Sequence, residues 1–459
     1  MMLRIANGAG FLGDSLDAPR RLVEGAEVDY LTLEYLAELT MSILARARQK
    51  DPRLGFARDF LSVTRSLLPS LQRQTRLRLV TNAGGVNPRG CTRAVAEILV
   101  EAGFSDMLVG LVEGDDLLPE LDQLRAAGEQ FTNSETRQPW GDLACPLLAA
   151  HAYLGAGPIV EALKQGARFV ITGRVADASL TVGPAVHEFG WSFDDWPRLA
   201  AASVAGHLIE CGAQVTGGYS ERWRDQDLTN IGYPIAELME NGGVVITKPE
   251  SSGGVVDRQT VVRQLVYEIG DPARYYTPDV VADFSQVTVQ SEGTDRVIVG
   301  GAVGQPAPDS YKVSMAYQNG YTASSQLLVY GPDCLEKAGY CARLIFDRLE
   351  QAGIKLARTH VEKLGAGIGV PSVSNDLSRQ SPAEVVLRIT AQDESRDAIQ
   401  TFVEQFAPLI TNGPAGLAGY ASGRGVVRPV LAFWPTTVPR SLVTPTVEAK
   451  TAAAWAAEN

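Results

Sequence analysis

The 459-residue chain is poor in the side chains from which several common catalytic and structural sites are built. It has five cysteines, none in a CxxC pair, and four histidines. This pattern argues against a zinc ribbon or an iron–sulfur cluster and is typical of reduced thiols in a cytosolic protein. No GxSxG elbow and no GxxxxGK[ST] loop occurs, so the commonest hydrolase and nucleotide triphosphatase mechanisms lack their motifs.

The chain also lacks a positive charge balance and a long apolar run. Its 41 Lys and Arg stand against 53 Asp and Glu, for a formal net charge of −12. Such a chain has no overall basic field to attract nucleic acid or an anionic membrane. No apolar run approaches the roughly 18 residues of a membrane span, and a short strand opens the chain in place of a signal segment. We expect a cytoplasmic protein with a small-molecule substrate and, from base rates alone, a homodimer.

Four stretches share one design, in which a strand-like apolar run ends in a tight turn of glycine and small polar residues. They are LRIANGAGFLGD at 3–14, LRLVTNAGGVNPRG at 77–90, MLVGLVEGDD at 107–116 and FVITGRVAD at 169–177. The 45 glycines exceed the usual share of roughly 7% and fit a protein with many such turns. Ligands of open α/β sheets bind at the carboxyl edge of the strands, so these turns predict a small-molecule site.

The first half of the chain alternates strands and helices, which predicts an α/β fold with a mostly parallel sheet and helices on both faces. Residues 284–330 are rich in strand formers, and QNG at 318–320 predicts a hairpin turn within them. We assign residues 1–335 to the α/β domain and residues 336–450 to a smaller C-terminal α+β domain. Residues 451–459 are predicted to be a frayed tail.

The turn at 173–177 carries a cation and a carboxylate close together. Arg174 can bind a carboxylate or phosphate bidentately, and Asp177 can act as a general base or bind a metal. The alternative is an Arg–Asp pair that only stiffens the turn. Glu34, at the end of another predicted strand, is a supporting acid or base. Several carboxylates at one edge can raise one another's pKa or hold Mg²⁺ through oxygen ligands.

A second glycine turn supplies candidate binding groups. Asn82 lies at a strand end, where its amide would orient a carbonyl or carboxylate. The backbone N–H groups of Gly84 and Gly85 would form a nest for an anion. The alternative is a plain strand-to-helix turn with Pro88 near the first helical position.

Gly8, Gly10 and Gly13 spell GxGxxG after a strand, with Asp29 about 20 residues further on, as in a dinucleotide fingerprint. The strand before the motif is short, and Asp14 would repel a phosphate. We therefore favour a tight turn on the substrate side over a site for NAD(P) or FAD.

Two further candidates lie later in the chain. His207, Glu210 and Cys211 would share one helical face, so His207 is a candidate acid or base, against the alternative of a buried histidine with satisfied hydrogen bonds. One histidine and one cysteine are too few for a zinc site, and no metal ligand is assigned. Lys248 either reaches a phosphate of a coenzyme or lies in an exposed loop.

Taken in order, seven segments resemble the acyclic terpene utilisation family, the AtuA-like proteins. They are RIANGAGFLGD at 4–14, DYLTLEYLAELTM at 29–41, VTNAGGVNP at 80–88, ITGRVADASL at 171–180, GHLIECGAQVTGG at 206–218, ITKPESSGG at 246–254 and YEIGDPARYYTPDVVADF at 267–284. The resemblance implies bacterial catabolism of branched, isoprenoid-like acids as CoA thioesters, in a pathway with a biotin-dependent acyl-CoA carboxylase. It implies no catalytic residues. Because the GAGFLGD turn belongs to the family pattern, the resemblance weakens the dinucleotide hypothesis.

We predict an enzyme that acts on an acyl-CoA or a free organic acid by proton chemistry next to a carbonyl, with hydration–dehydration, a lyase step, as the leading reaction. Asp177, with Glu34, would be the general acid/base, and Arg174 would hold a carboxylate. Asn82 and the Gly84–Gly85 backbone would polarise the carbonyl. The alternatives are a non-catalytic partner subunit of an acyl-CoA carboxylase-type complex and an NAD(P)-dependent oxidoreductase.

Overall fold

The structure, a computed structural model, describes residues 1–142, 145, 147–366, 382–419 and 423–458. The chain divides into two compact units. The first contains Met1–Ala316 and the chain from Phe433 onward, and the second contains Tyr317–Ala432. The domain boundary at 335 that the sequence predicted lies just inside the helix Cys334–Gln351, within the second unit.

Strands and helices alternate over much of the first unit. The described strands are β1 (Met2–Asn7), β2 (Tyr30–Leu33), β3 (Arg78–Thr81), β4 (Leu108–Glu113), β5 (Leu147–Ala152), β6 (Phe169–Thr172), β7 (Ile235–Met239), β8 (Val244–Thr247), β9 (Tyr275–Tyr276), β10 (Val281–Asp283), β11 (Thr288–Gly293), β12 (Arg296–Gly300), β13 (Val303–Gln305), β14 (Ser310–Tyr330), β15 (Arg358–Leu364), β16 (Glu384–Asp393), β17 (Leu417–Gly419), β18 (Arg428–Pro439) and β19 (Thr446–Thr451). The described α-helices are α1 (Ala18–Gly25), α2 (Glu38–Lys50), α3 (Asp59–Arg73), α4 (Pro88–Glu101), α5 (Leu121–Ala126), α6 (Gly157–Lys164), α7 (Ser179–Phe189), α8 (Trp196–Glu210), α9 (Arg258–Leu265), α10 (Cys334–Gln351), α11 (Arg396–Glu404), α12 (Leu409–Asn412) and α13 (Ala452–Ala456). Among the described residues, no helix is both long and apolar enough to cross a membrane.

A ten-stranded mixed sheet organises the first unit, in the order β11-β12-β8-β7-β1-β2-β3-β6-β4-β19. The five strands β1-β2-β3-β6-β4 are parallel, whereas the pairings on either side of them are antiparallel. The predicted α/β class is confirmed, but the prediction of a mostly parallel sheet was wrong. The links from β7 to β8 and from β11 to β12 are too short for a crossover helix, and short links join antiparallel strands.

The parallel strands are deeply buried, as expected for strands covered on both faces. Every residue of β2 and β6 is buried, and both strands contribute to a continuous apolar core with Phe60 and Leu79. Because the five strands run in one direction, their carboxyl ends meet at one edge of the sheet. The polar residues that follow these strands therefore lie close together.

The C-terminal segment is packed, although the sequence predicted a frayed tail. Strand β19 pairs with β4, and helix α13 packs against α4. The Trp455 side chain is fully buried, and its Nε1 donates a hydrogen bond to the carbonyl oxygen of Val109 (2.8 Å). A single large aromatic anchors this alanine-rich segment, which composition alone does not distinguish from a mobile tail.

The second unit contains a separate antiparallel sheet, in the order β15-β16-β14-β17, and β18 also pairs with β14. Helices α10 and α11 supply Ile345 and Phe402 to its apolar core. The hairpin predicted at Gln318–Gly320 was wrong, because β14 continues through these residues. Gly320 has a φ of +72°, and a Cβ there would lie 2.5 Å from the carbonyl oxygen of Asp393. The glycine thus permits a close approach of two strands.

Candidate functional site

Polar side chains at the carboxyl ends of three parallel strands contact one another. Glu34 follows β2, Asn82 follows β3 and Arg174 follows β6. The Asn82 Nδ2 atom lies 2.6 Å from both Glu34 carboxylate oxygens. The Arg174 guanidinium lies 3.6 Å from Glu34 Oε1 and 2.9 Å from Asp177 Oδ1. Four residues that the sequence analysis selected thus form one group, here named the Arg174 cluster: Glu34, Asn82, Arg174 and Asp177.

Only Asp177 among the charged members of the Arg174 cluster reaches solvent. Its side chain is 34% exposed, against 3% for Arg174 and 5% for Glu34. The Arg174 guanidinium stacks on Tyr153, 4.0 Å from the ring centroid, and donates to the carbonyl oxygen of Leu36 (3.0 Å). The cation is therefore fixed from several sides. A fixed buried cation holds the exposed carboxylate in one orientation.

The two carboxyl groups of the cluster have different environments. Burial raises the pKa of Glu34 well above its ordinary value, and the nearby Asp177 carboxylate raises it further, against the opposing effect of Arg174. Glu34 therefore retains a proton to higher pH than a solvated glutamate. A pair of carboxyl groups whose surroundings differ in this way is typical of acid/base sites.

The raised pKa of Glu34 gives a testable pH dependence of stability. The folded state binds the Glu34 proton more tightly than the unfolded state, whose pKa is roughly 4.3. The contribution of Glu34 to stability is therefore fully present below that value and is lost as pH rises through the folded-state pKa. We expect Glu34→Gln to flatten the fall of the unfolding free energy with rising pH, measured by urea denaturation. Glu24→Gln, at the exposed Arg20–Glu24 pair, is the control; equal pH slopes in the two variants would contradict the assignment.

His207 lies in a different part of the site. Its Nδ1 lies 3.1 Å from Glu210 Oε1, and its Nε2 lies 3.0 Å from the carbonyl oxygen of Gln264. The side chain is 1% exposed, so it has the geometry of a buried histidine with both nitrogens satisfied. Burial raises the pKa of Glu210, and Asp177 contributes to that rise. His207 is thus coupled to the Arg174 cluster through Glu210.

The first glycine turn is held together by its own hydrogen bonds. The Gly8 N–H donates to the carbonyl oxygen of Thr32 (2.9 Å), and the Gly10 N–H donates to Asp14 Oδ2 (2.8 Å). A Cβ on Gly10 would lie 2.8 Å from the carbonyl carbon of Cys211. Gly10 therefore permits the close packing of this turn on the end of α8, and Gly13, with a φ of +99°, permits the turn itself.

The second glycine turn is likewise tightly packed. A Cβ on Gly84 would lie 2.4 Å from the carbonyl oxygen of Thr172, and the Gly85 N–H donates to the carbonyl oxygen of Asn82 (3.1 Å). Asn82 Oδ1 accepts from the Tyr35 N–H (2.9 Å), so its amide is engaged within the protein at both ends. The geometry gives Asn82 the means to position Glu34.

Lys248 is not brought to the Arg174 cluster. Its ammonium lies 3.0 Å from Asp295 Oδ2 and donates to the carbonyl oxygen of Ser252 (2.8 Å). The side chain is buried by these contacts, so it differs from both a free phosphate-binding lysine and an exposed loop lysine.

Sequence reasoning missed a polar group beside Arg174. The Tyr153 hydroxyl donates to Glu38 Oε1 (2.8 Å), and Lys312 Nζ donates to the same oxygen (2.9 Å). Burial opposes ionisation, but the Lys312 ammonium outweighs it and lowers the pKa of Glu38 to about 2. Tyr153 directly follows β5, so its place at a strand end was a usable signal. Nothing in the sequence links Lys312, about 160 residues further on, to this edge.

Metal binding finds no ligand set in the described residues, where no group of three or more His, Cys, Asp or Glu side chains is placed to hold an ion. The Mg²⁺ considered for the edge carboxylates therefore has no assigned ligands in that part of the chain.

Comparisons with known proteins identify a family. The model of the acyclic terpene utilisation family, described as acyclic terpene utilisation family protein AtuA, matches residues 3–449. No curated protein and no solved structure gives a significant match. The match includes the C-terminal third, where the sequence segments quoted above do not reach. The chain belongs to the acyclic terpene utilisation family.

Proposed function

We propose that the protein is a catabolic enzyme that transfers a proton next to the carbonyl of a branched, isoprenoid-type organic acid or its CoA thioester. Hydration or dehydration of a carbon–carbon double bond, a lyase step, is the proposed reaction. One observation carries the proposal: the partly exposed Asp177 carboxylate is held on the buried Arg174 guanidinium beside the more weakly acidic Glu34. Family membership supports the catabolic context.

Dehydration requires one group to take a proton from carbon and another to give a proton to the departing hydroxyl, so that water leaves. The exposed carboxylate of Asp177 suits the first task. Glu34, which holds its proton to higher pH, suits the second as the proton store of the cluster. Arg174 is a positioning residue here, because its side chain already holds Asp177 and contacts Glu34.

Asp177→Asn tests this assignment. Branched acyl-CoA thioesters and the matching free acids are incubated with the protein in D₂O, and deuterium at the carbon next to the carbonyl is measured by mass spectrometry. We expect the variant to lose at least about 100-fold in exchange rate, because general acid–base groups contribute that much or more. The free energy of unfolding should change by less than about 1 kcal/mol, since the side chain is partly exposed.

Asp195→Asn is the matched control. Asp195 forms an i,i+3 ion pair with Arg198, as Asp177 does with Arg174, but lies outside the Arg174 cluster. This variant should exchange deuterium at the wild-type rate. An unchanged rate in Asp177→Asn, or a large loss of its folding stability, would show that Asp177 is structural.

A further inference from the structure

A cleft of about 620 Å³ lies beside the N-terminal end of α4, and its lining is strongly charged. Arginines line it together with acidic residues and one histidine, listed here: Arg48, Arg53, Arg89, Arg93, Glu97, Glu113, Asp115, Asp116 and His151. No residue assigned to the proposed function, Asp177 included, lines this cleft. Its chemistry therefore stands apart from the Arg174 cluster.

His151 and Asp115 form a buried pair at the cleft. His151 Nδ1 lies 2.8 Å from Asp115 Oδ2, and both side chains are 3% exposed. The same oxygen accepts the backbone N–H of Arg174 (2.8 Å). A Cβ on Gly173 would lie 2.2 Å from Asp115 Oδ1, so only glycine lets the carboxylate lie against this turn. The carboxylate is fixed on one side by the turn and on the other by the imidazole.

This geometry determines which ring nitrogen is free. A carboxylate that accepts from Nδ1–H leaves the lone pair of the neutral imidazole on Nε2. Among the described residues Nε2 has no hydrogen-bond partner, while His151 itself lines the cleft. Burial lowers the pKa of His151, but Asp115 outweighs this effect and raises it; Asp116 acts in the same direction and Arg48 against it. The arrangement is that of a general base oriented by an acid.

The cleft also provides cations. Arg89 is already surrounded by Glu113, Glu448 and Glu458. Arg53 is 89% exposed and pairs with its near neighbour Asp51, and Arg48 lies 3.8 Å from Asp116. The last two arginines are therefore more available to an added anion than Arg89 is.

We propose that Asp115 and His151 form a general-base pair in a second site, where Arg48 and Arg53 bind the oxyanion group of a small molecule. No Ser, Thr or Cys is among the described residues that line the cleft, so the base acts on the ligand or on water. The proton of an O–H or C–H bond moves to His151 Nε2, and the Asp115 carboxylate stabilises the imidazolium. The proton then returns to the product, so no other reactant is consumed.

Acylation by diethyl pyrocarbonate, read histidine by histidine by mass spectrometry, tests the proposal. The exposed His360 is the internal reactive reference, and His207, with both nitrogens bonded, is the internal unreactive one. We expect His151 to be acylated within about tenfold of the His360 rate. Inorganic pyrophosphate, the oxyanion probe, should slow His151 and leave His360 unchanged.

Two variants separate the parts of the proposal. Asp115→Asn should slow acylation of His151 at least tenfold, whereas Asp116→Asn, which removes a charge from the same cleft, should not. No acylation of His151, no protection by pyrophosphate, or equal rates in the two variants would each overturn the proposal. If Asp115→Asn fails to fold, the wild-type acylation and protection results alone decide it. Asp177→Asn leaves these rates unchanged, so failure of this proposal is distinguishable from failure of the proposed function.

Discussion

Replacing Arg174 with methionine is expected to lower the free energy of unfolding by about 3–5 kcal/mol, because removing one partner of a buried ion pair leaves the other uncompensated. The guanidinium is 3% exposed between Glu34 and Asp177. Methionine fills a similar volume but carries no charge. It also loses the stacking on Tyr153 and the hydrogen bond to Leu36. Glu34 then has no cation near it in a buried position.

Urea denaturation at neutral pH measures this effect. Arg198→Met, at the half-exposed pair with Asp195, is the control and should cost less than about 1 kcal/mol. Adding Glu34→Gln to Arg174→Met should recover part of the loss, because it removes the carboxyl group that the arginine leaves behind. A loss below about 1 kcal/mol in Arg174→Met would show that the cluster is not a buried ionic site.

Trp455→Ala is expected to cost about 3–5 kcal/mol, the usual range for removing a large buried aromatic. The indole is fully buried and its truncation leaves the carbonyl oxygen of Val109 without its donor. It also removes the ring on which Lys450 lies, 4.4 Å from the centroid. Trp223→Ala, at a 52% exposed tryptophan, should change stability by about 0.5 kcal/mol or less. Equal effects of the two substitutions would contradict the packing of the C-terminal helix.

Part of the candidate site was predictable from the sequence. A polar residue directly after a buried strand has its position fixed by the strand, so Glu34, Asn82 and Arg174 lie at one edge once their strands are parallel neighbours. Arg174 and Asp177 are three residues apart in one turn, so their pairing is local. These inferences depend on short-range geometry and on the direction of the strands.

The remaining features depend on long-range packing that no local pattern records. Asp115 and His151 lie in separate strand-end segments that meet through an isolated bridge between Asp116 and His151, and no motif spacing links them. The Asn–Gly signal at 319–320 was overridden because β14 pairs with β16 immediately beyond it. Trp455 anchors an alanine-rich segment through one contact surface. In each case tertiary packing outweighs local propensity.

The most direct measurement is a thermal-unfolding titration of the protein with CoA, branched acyl-CoAs, the matching free acids, NAD(H) and NADP(H). A ligand at about 100 times its Kd should add roughly 2.7 kcal/mol to the unfolding free energy and raise Tm. We predict that an organic acid or its CoA thioester raises Tm. A rise with NAD(P) alone would indicate an oxidoreductase, and no rise with any compound would indicate a partner subunit. Either result would contradict an acid/base site for organic acids at the Arg174 cluster.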